Sequence, residues 1–535
     1  MSNQPIIVLN EGSQRVKNKE AQSNNILAAK AVAEAVRTTL GPKGMDKMLI
    51  DSMGDIVITN DGATILKEMD IEHPAAKIIV EVSKTQDEEV GDGTTTAAIL
   101  AGELLKNAET LIDIGVHPTV VAAGYYDAAE KSIEILNNLA FEVTTDDVEK
   151  LKCIAETAIT GKGIESYKSV LSELAVNAVR TIAEKTNSGL VVNIDDIKIE
   201  KIPGGSIQDS ELVYGVTVDK ERAHTNMPKR VENAKILLLS IPLEIKKTEV
   251  TSEIKITTPD QISAFLDQEE GMLKSMVDKV IKSGANTVFC QKGMDDMVEY
   301  YLAKENIFAV SRVKKSDLEK LTDSTNANII QNLDEITESD IGSAGLIEEK
   351  NLSGKEIIFV TECATKSSVS IILKGGTEHV VDSAKLALDD ALRVIGVTLE
   401  DGKVVVGGGS TEIELALRLR EFATTVSGRK QLAINKFSEA IEIVPKTLAE
   451  NSGLDSIDTL VELRSNHETG NKNMGLNVFT SDVVDMLELN VIEPLRIKTQ
   501  AINTGSEAAI MILKIDDVVA SKGGPSGGGM PPMEM

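Results

Sequence analysis

The amino-acid sequence predicts a multidomain protein whose mainly helical ends flank a central α/β segment. The chain has 535 residues, which is more than one hydrophobic core usually serves, and 42% of them are hydrophobic. Apolar residues recur at helical spacing up to about residue 185 and again after about residue 376. Between these stretches, β-rich runs such as NTVFC and EIIFVTEC alternate with helical segments. We therefore expect the two ends to fold together and to carry the middle segment between them.

The N-terminal third contains three predicted elements. Residues 24–40, NNILAAKAVAEAVRTTL, have the apolar spacing and alanine content of an amphipathic helix, which LGPKG ends. Next, KMLIDSMGDIVITNDG has two β-rich runs around Met53-Gly54, which predicts a hairpin. From Thr94 onwards, regularly spaced apolar residues predict a long helix with glycines at its entrance.

Composition argues against several classes of protein. The chain has 56 Lys and Arg against 84 Asp and Glu, and its net charge of −28 disfavours nucleic-acid binding. Three cysteines without a CxxC pair and five scattered histidines predict neither a zinc site nor a disulfide framework, which fits a reducing cytoplasm. The first residues place an apolar patch before the positive charges, unlike a signal peptide, and no apolar run reaches membrane-spanning length.

The segment VGDGTTTAA has features of a phosphate-binding loop, in a chain that lacks a Walker A loop. Its glycines permit close backbone approach, its hydroxyls can donate to phosphate oxygens, and the following helix offers its N-terminus to an anion. An aspartate at position 92, inside an anion site, is explained if it binds Mg²⁺. A plain turn with an N-capping threonine is the alternative interpretation.

Two further loops and three carboxylates could complete a nucleotide site. LGPKG offers backbone amides and Lys43, and VVGGGSTEIE places three glycines before a helix. A water that attacks a γ-phosphate needs an acceptor to orient it, for which Asp61 in TNDGAT and the pair Asp389 and Asp390 are candidates. The alternatives are ordinary turns for both loops, a hairpin turn for Asp61, and solvated helix surface for the aspartate pair.

Taken in order, the segments LGPKGMDKML, TNDGATIL, HPAAK, VGDGTTTAAILAGELL, ITGKG, VVGGGSTEIEL and VIEPLRIKTQA resemble the group II chaperonins of the thermosome branch. The resemblance covers nearly the whole chain. It implies a mainly α equatorial ATPase domain, an α+β intermediate domain, and an α/β apical client-binding domain with a helical protrusion as its lid. The implied ranges are 1–145 and 405–522 for the equatorial domain, 146–214 and 368–404 for the intermediate domain, 215–367 for the apical domain, about 245–278 for the protrusion, and 523–535 for a disordered Gly/Met tail.

The resemblance also implies roles for individual residues. Asp61 and Asp390 would position the attacking water, and Asp390 is chosen over Asp389 because it directly precedes an Ala-Leu pair. Asp92 would bind Mg²⁺, and Asn477 and Glu493 would face the base and the ribose. The residues expected around ATP are Leu40, Gly41, Pro42, Gly91, Asp92, Gly93, Thr94, Thr95, Thr96, Gly408, Gly409, Asn477 and Glu493.

Three other residues are expected to link ATP to domain motion. Lys162 in ITGKG would sense the γ-phosphate from the intermediate domain, so that hydrolysis would release a contact between domains. Gly375 and Gly376 in ILKGGTEH would serve as hinge residues, because they tolerate large changes of φ and ψ. For the two glycines, a simple turn is an equally good interpretation.

The lid is expected to contain a helix after KITTPDQ. Thr258 as N-cap, Pro259 at the first helical position and Gln261 mark its start. An apolar stripe follows, which could bind apolar segments of unfolded chains if it is exposed in an open ring. Packing in a core is the alternative. The stripe begins with Ile262, Phe265 and Leu266.

The resemblance thus implies a cytoplasmic, ATP- and Mg²⁺-dependent chaperone that acts on unfolded or partly folded proteins. Its subunits would associate into two stacked rings, alone or with related subunits, with no nucleic acid, no membrane and no separate co-chaperonin cap. Low cysteine content and the Gly/Met tail favour an archaeal homo-oligomer. A small-molecule phosphotransferase that uses the same glycine loops is a second hypothesis. A non-hydrolysing scaffold is a third, which the presence of Asp61 and Asp390 disfavours.

Overall fold

The computed structural model describes residues 14–50, 54, 56–187, 189–245, 259–365 and 368–520. Several predictions concern residues outside these ranges. They are the turn at Met53, the helix cap at Thr258, residues 246–258 of the predicted protrusion, and the Gly/Met tail. The side chain of Ile262 is likewise outside the described part.

Helices make up most of both ends of the chain, as the apolar periodicity predicts. In chain order, the α-helices of the described ranges are α1 Asn18–Arg37, α2 Gly62–Glu68, α3 Pro74–Val90, α4 Thr94–Asp113, α5 Pro118–Leu139, α6 Val148–Ile159, α7 Lys168–Ile182, α8 Pro259–Ser283, α9 Asp296–Lys304, α10 Lys315–Thr325, α11 Glu378–Asp401, α12 Ser410–Thr425, α13 Arg429–Ile441, α14 Ile443–Asn451, α15 Ser456–Glu468 and α16 Leu495–Leu513.

Strands are concentrated in the middle of the chain. In the same order, the strands of the described ranges are β1 Gln14–Lys17, β2 Lys47–Ile50, β3 Ile56–Thr59, β4 Phe141–Glu142, β5 Glu184–Thr186, β6 Gly189–Val191, β7 Ile197–Pro203, β8 Glu211–Val213, β9 Gly215–Val218, β10 Arg230–Leu239, β11 Thr287–Cys290, β12 Phe308–Val310, β13 Ile329–Ile330, β14 Gly342–Leu352, β15 Lys355–Cys363, β16 Val369–Gly375, β17 Lys403–Val406, β18 Met474–Asn477, β19 Asp482–Asp485, β20 Ile492–Pro494 and β21 Asp517–Ala520.

The chain divides into two compact units, one formed by Met1–Glu142 with Lys403–Met535 and the other by Val143–Gly402. Both ends of the chain therefore contribute to the first unit, and the middle of the chain forms the second. The further division of the second unit into intermediate and apical domains, with the boundaries given above, stays a prediction.

The first unit is a helical bundle whose helices approach closely at small residues. A Cβ at Gly102 of α4 would lie 2.3 Å from the Cβ of Ala33 on α1, and a Cβ at Gly124 of α5 would lie 2.5 Å from the Cβ of Ala433 on α13. One continuous hydrophobic core contains residues from both chain segments, from Ile26 of α1 to Leu513 of α16. The terminal strands β1 and β21 also pair antiparallel.

The predicted hairpin is confirmed, and the predicted first helix is shifted. Strands β2 and β3 pair antiparallel from Lys47 opposite Thr59 to Ile50 opposite Ile56. Helix α1 begins six residues before the predicted residue 24, in a polar segment without apolar periodicity. It ends at Arg37 because β-branched residues follow, and the Thr39 hydroxyl donates to the Val36 carbonyl oxygen at 2.8 Å.

The second unit contains a seven-stranded mixed sheet in the order β12-β11-β10-β14-β15-β9, with β13 also paired to β10. Strand β10 runs parallel to β11 and β13 and antiparallel to β14. Its successive residues alternate between two cores, because Leu237 and Leu239 pack on the side of α8 and α9, whereas Ile236 and Leu238 pack on the side of α10. The α/β pattern predicted for the middle of the chain is thus confirmed.

A smaller sheet in the second unit has the order β7-β16-β8. Strands β7 and β16 run parallel from Ile197 opposite Val369 to Pro203 opposite Gly375. Helix α11 follows β16 directly and packs against α6 and α7. Strand β16 and helix α11 belong to the later part of this unit in the sequence. They pack against β7, α6 and α7 from its earlier part.

Helix α8 has two parts of different character. Leu273, Val277 and Val280 are buried in the core beside the large sheet. Phe265 and Leu266, near the start of the helix, are 39% and 57% exposed. Core packing therefore explains only the second part of the apolar stripe.

None of the described helices combines the length and the apolar character that are needed to cross a lipid bilayer.

Candidate functional site

The GDG loop joins the end of α3 to the start of α4 in the first unit. Gly91 and Gly93 have φ angles of 80° and 78°, in the left-handed region that favours glycine. Gly93 is the N-cap of α4 and provides no side-chain cap, so the first amides of this helix remain available to an anion. The N-capping threonine of the alternative interpretation is therefore wrong, because Thr94 is the first helical residue.

The loop is held against helix α16, which comes from the other end of the chain. Gln86 of α3 donates through Nε2 to the carbonyl oxygens of Asp92, at 2.9 Å, and of Ile497, at 3.2 Å. A Cβ at Gly93 would lie 2.8 Å from Cγ2 of Ile497, so the close approach requires glycine. Asp92 also accepts from the amide of Gly93 through Oδ1 at 2.7 Å. These contacts fix the loop from both sides.

Asp61 lies directly beside the start of α4. Its Oδ2 accepts from the backbone N–H of Thr64 at 2.7 Å and caps α2, while its Oδ1 accepts from Oγ1 of Thr94 at 3.0 Å. Thr95 also contacts this loop, because a Cβ at Gly62 would lie 2.5 Å from Oγ1 of Thr95. Asp61 is thus a helix cap rather than part of a hairpin turn. The structure brings TNDGAT and GDGTTT together.

A second glycine loop, residues 407–409, follows strand β17 and precedes α12. Gly409 has a φ of 79° and is the N-cap of α12, again without a side-chain cap. The Gly408 carbonyl oxygen accepts from the N–H of Leu476 at 2.9 Å, which places β18 beside the loop. A Cβ at Gly407 would lie only 2.6 Å from Oε1 of Glu493. The predicted residues Gly408, Gly409 and Glu493 therefore lie together.

Helix α14 contacts both the second glycine loop and the LGPKG loop. A Cβ at Gly409 would lie 2.7 Å from Cβ of Pro445, and one at Gly41 would lie 2.3 Å from Cδ2 of Leu448. Asn451, at the end of α14, donates to the Leu40 carbonyl oxygen at 2.9 Å. Leu40 and Gly41 are thus placed by the same helix that supports the second loop, and Pro42 directly follows them in the chain.

Asn477 ends strand β18, next to the residue that contacts the second glycine loop. Its Oδ1 accepts from the N–H groups of Phe479 at 3.0 Å and Thr480 at 3.4 Å, so this oxygen stabilises the turn between β18 and β19. The role of Asn477 at the base stays a prediction.

In the second unit, Lys162 and Asp390 form an ion pair whose side chains are each 18% exposed. Lys162 lies in the loop after α6, between Gly161 and Gly163, whose φ angles are 98° and 74°. Asp390 lies on α11. The neighbouring Asp389 pairs instead with Lys385 at 3.5 Å, and burial raises the pKa of its carboxyl. The two aspartates therefore have different partners.

The two predicted hinge glycines differ in their surroundings. Gly375 ends β16, its carbonyl oxygen accepts from Gly204 N–H at 2.7 Å, and a Cβ there would lie 2.6 Å from Cγ2 of Val381. A Cβ at Gly376 would meet no atom within 4 Å. Tight packing thus accounts for glycine only at the first position, and the hinge role of both stays a prediction.

The sequence reasoning did not single out Gln86, Glu412 or Lys498, which support the two loops. Lys498 lies in the first turn of α16 and pairs at 2.7 Å with both Glu412 and Glu493. The sequence does contain one signal of this network, which is a lysine in the first turn of a largely apolar helix. A helix N-terminus disfavours a cation, so such a lysine indicates that carboxylates lie near it.

Comparison with known proteins places the chain in one family. Residues 32–523 match the TCP-1/cpn60 chaperonin family. The thermosome subunit beta of Archaeoglobus fulgidus is 56% identical over 539 residues, which cover 100% of this chain and 99% of the relative. The thermosome subunit alpha of the same organism is 55% identical over 528 residues, covering 98% of this chain and 97% of the relative.

A solved structure agrees with these relatives. It is the open-state monomer of a group II chaperonin from Methanococcoides burtonii, which is 57% identical and has a TM-score of 0.63, covering 80% of this chain and 100% of that one. The resemblance that the glycine and aspartate motifs suggested is confirmed. The chain therefore belongs to the TCP-1/cpn60 chaperonin family and, within it, to the group II branch of the thermosomes.

Proposed function

We propose that the first unit of this chain hydrolyses ATP and that the second unit uses the resulting cycle to capture and release non-native proteins. As a group II chaperonin subunit, the chain is an ATP-dependent chaperone that forms a ring chamber with a built-in lid. We assign the catalytic carboxylates, the metal ligand and the client surface to specific residues.

One observation carries the assignment of the nucleotide site. Helices α4 and α12 both begin at glycine loops and both lack a side-chain cap, so amides of their first turns can bind the oxygens of an anion. The amide of Ser410 is an exception, because it donates to the Gly407 carbonyl oxygen at 3.2 Å. Thr96 and Thr411, in the first turns of these helices, border a common cavity of only about 20 Å³, so the two helix starts lie close together. An extended polyanion such as a triphosphate could contact both helix ends. The carboxylate of Asp61 accepts a hydrogen bond from Thr94 and therefore lies next to the first residue of α4.

The residues of the first loop fit ATP with Mg²⁺. ATP would supply the phosphoanhydride bond to be broken, and Mg²⁺ would supply positive charge against the phosphate oxygens. Asp92 would hold the metal, since Mg²⁺ usually takes one or two protein carboxylates and completes its shell with phosphate and water oxygens. Asp61 would orient the attacking water. Its two hydrogen bonds, to Thr64 and Thr94, fix the carboxylate before a water molecule arrives.

We assign Asp390 as a second water-positioning carboxylate and Lys162 as the phosphate sensor. In the second unit these side chains bind each other. A γ-phosphate would compete with Asp390 for the same ammonium group, because both are anions. This competition supports a link between the nucleotide state and the loop that carries Lys162. Movement about Gly375 and Gly376 would transmit it within the second unit.

We assign the start of α8 as a client surface. Phe265 and Leu266 are large apolar side chains that remain substantially exposed. Burial of a few hundred Å² of such surface, at about 25 cal/mol per Å², would give roughly 5 to 10 kcal/mol before entropy losses. Binding of this strength is weak enough to be reversed when a lid closes. It would need no particular client sequence.

The remaining partners follow from the family. We propose that the subunits assemble into two stacked rings without a separate cap, alone or with related subunits, as the alpha and beta relatives of one organism suggest. We place the protein in the cytoplasm, where its three free cysteines would stay reduced.

Two measurements on the purified protein test the proposal. Light scattering should give a particle many times the 57.4 kDa mass of the chain. Phosphate release from ATP should require Mg²⁺, stop on addition of a chelator and resume when Mg²⁺ is restored. A monomer or dimer that phosphorylates a small molecule would instead support the phosphotransferase hypothesis, and an assembly that binds ATP without releasing phosphate would support the scaffold.

A further inference from the structure

Lys498 is a buried cation in the first turn of α16. Its side chain is 9% exposed, and its Nζ lies 2.7 Å from Oε1 of Glu412 and 2.7 Å from Oε2 of Glu493. Burial alone would lower the pKa of this ammonium, but the charges of the two carboxylates outweigh burial and hold the pKa above its usual value. Lys498 therefore carries a permanent charge at a helix end that would otherwise disfavour it.

The three charged residues come from three elements around the second glycine loop. Glu412 is the third residue of α12, which begins directly after that loop. Glu493 lies on β20, where it is paired with Val405 of β17, the strand that precedes the loop. Lys498 connects the start of α12 with β20, so it fixes residues on both sides of the loop.

Glu412 is buried where the first turns of three helices meet. A cavity of about 20 Å³, large enough for about one water molecule, is bordered by Thr96 of α4, by Thr411 and Glu412 of α12, and by Lys498 of α16. The positive ends of the helix dipoles and Lys498 together stabilise the carboxylate of Glu412 in this place. Glu412 in turn keeps the ammonium group of Lys498 inside the protein.

Glu493 is the member of the group that reaches the loop. Its Oε2 binds Lys498, while its Oε1 would lie 2.6 Å from a Cβ at Gly407. The side chain of Glu493 is 20% exposed, whereas that of Glu412 is only 7% exposed. The Glu493 carboxylate thus extends from the buried lysine to the accessible face beside the glycine loop.

We propose that Lys498 is a positioning residue that holds Glu493 ready to accept a hydrogen bond from a ribose hydroxyl, which makes the site selective for ribonucleotides over deoxyribonucleotides. This rests on the proposed ATP site. A carboxylate can only accept, so it binds the hydroxyl hydrogen and loses that partner when the hydroxyl is missing. A flexible glutamate would lose rotamer freedom on binding the nucleotide, and the ion pair removes that cost beforehand.

The test compares ATP, 2′-deoxy-ATP and 3′-deoxy-ATP as substrates of the assembled protein. For the wild type, we expect KM for one of the deoxynucleotides to exceed KM for ATP by about tenfold to a hundredfold, the value of a hydrogen bond to a charged group. Lys498→Met should bring this ratio close to one and raise KM for ATP, while kcat stays nearly unchanged because the phosphate end is untouched. Lys30→Met removes another ion pair of the first unit, with Glu109 at 2.8 Å, and should leave the ratio unchanged.

Further variants separate positioning from a merely structural role. Lys498→Met leaves two carboxylates close together, so Lys498→Met with Glu412→Gln replaces it if the single variant does not assemble. Glu493→Ala should by itself abolish the discrimination between ATP and the deoxynucleotide. Adding Lys498→Met to this variant should then leave the ratio of the two KM values unchanged. Structural damage would instead affect ATP and its deoxy analogues equally.

The outcomes distinguish this proposal from the proposed ATPase function. A ratio that is retained in Lys498→Met, in the double variant or in Glu493→Ala overturns the role of Lys498. A wild type that turns over all three nucleotides with equal KM also overturns it and leaves the ATPase function intact. A wild type that turns over none of them refutes the ATPase function itself.

Discussion

Replacement of Asp61 by asparagine should separate the chemistry of this residue from its structural role. The carboxylate makes two hydrogen bonds in the structure, one from the N–H of Thr64 at 2.7 Å and one from Oγ1 of Thr94 at 3.0 Å. Asparagine caps helices about as well as aspartate and can accept through its own oxygen, so α2 should keep its cap. Asparagine is uncharged, however, and is a much weaker acceptor for the proton of an attacking water.

The expected magnitudes follow from these contacts. Loss of a water-orienting carboxylate should lower kcat by about 10²- to 10⁴-fold, whereas ATP affinity should change little. Asp61→Ala should lose the same activity and in addition the helix cap, which is worth about 1 kcal/mol, and the bond from Thr94, which is worth about 2 kcal/mol.

Three measurements check this prediction: phosphate release, ATP affinity by calorimetry, and the thermal midpoint of unfolding. We expect Asp61→Asn to bind ATP, to release phosphate very slowly, and to unfold close to the wild type, with Asp61→Ala unfolding at a lower temperature. Turnover by Asp61→Asn at the wild-type rate would refute the role of the carboxylate. Equal destabilisation by the two substitutions would refute its role as a cap that asparagine can replace.

Three further predictions concern other parts of the chain. Gly93→Ala should weaken ATP binding more than tenfold, because it places a Cβ against α16 at a φ of 78°. The control Gly115→Ala has a φ of 87° and no atom within 4 Å of its Cβ, so it should not weaken ATP binding. Calorimetry measures both ATP affinities, and an equal loss in the two variants would contradict the prediction. Asp390→Ala should still bind ATP but hydrolyse it about 100-fold more slowly, and an unchanged rate of phosphate release would disprove the assigned role. Phe265→Ser should reduce the capture of an unfolded client with ATPase activity retained, while Met297→Ser, at a residue with the same 39% exposure on α9, should capture as the wild type does; equal loss in both would speak against a specific surface on α8.

The fold was largely predictable where buried faces leave a regular apolar pattern in the sequence. Apolar spacing predicted the start of α4 at Thr94, and the β-rich runs predicted the α/β character of the second unit. Strand β14 has only a weak signal in the sequence because GSAGLIEEKNL contains two Gly, two Glu and one Asn, although it pairs with both β10 and β15. Strand pairing on both sides outweighs the low β-propensity of these residues.

The site was predictable only in part. The glycine and aspartate motifs are local in sequence, and the structure brings Asp61 to Thr94 and Glu493 to the second glycine loop. The network of Lys498 was not predictable, because its partner Glu412 lies far away in the sequence and the pairing depends on how three helices pack. A buried ion pair has no periodic signature in the sequence.

Hydrogen–deuterium exchange of residues 259–271 tests most directly whether the nucleotide controls the client surface. The backbone amides at the start of α8 should exchange more slowly when the assembled protein binds ATP with Mg²⁺, because lid closure would cover Phe265 and Leu266. Asp61→Asn should show the same protection for much longer, since it retains ATP without hydrolysing it. Identical exchange with and without nucleotide, in protein that is releasing phosphate, would contradict the proposed coupling.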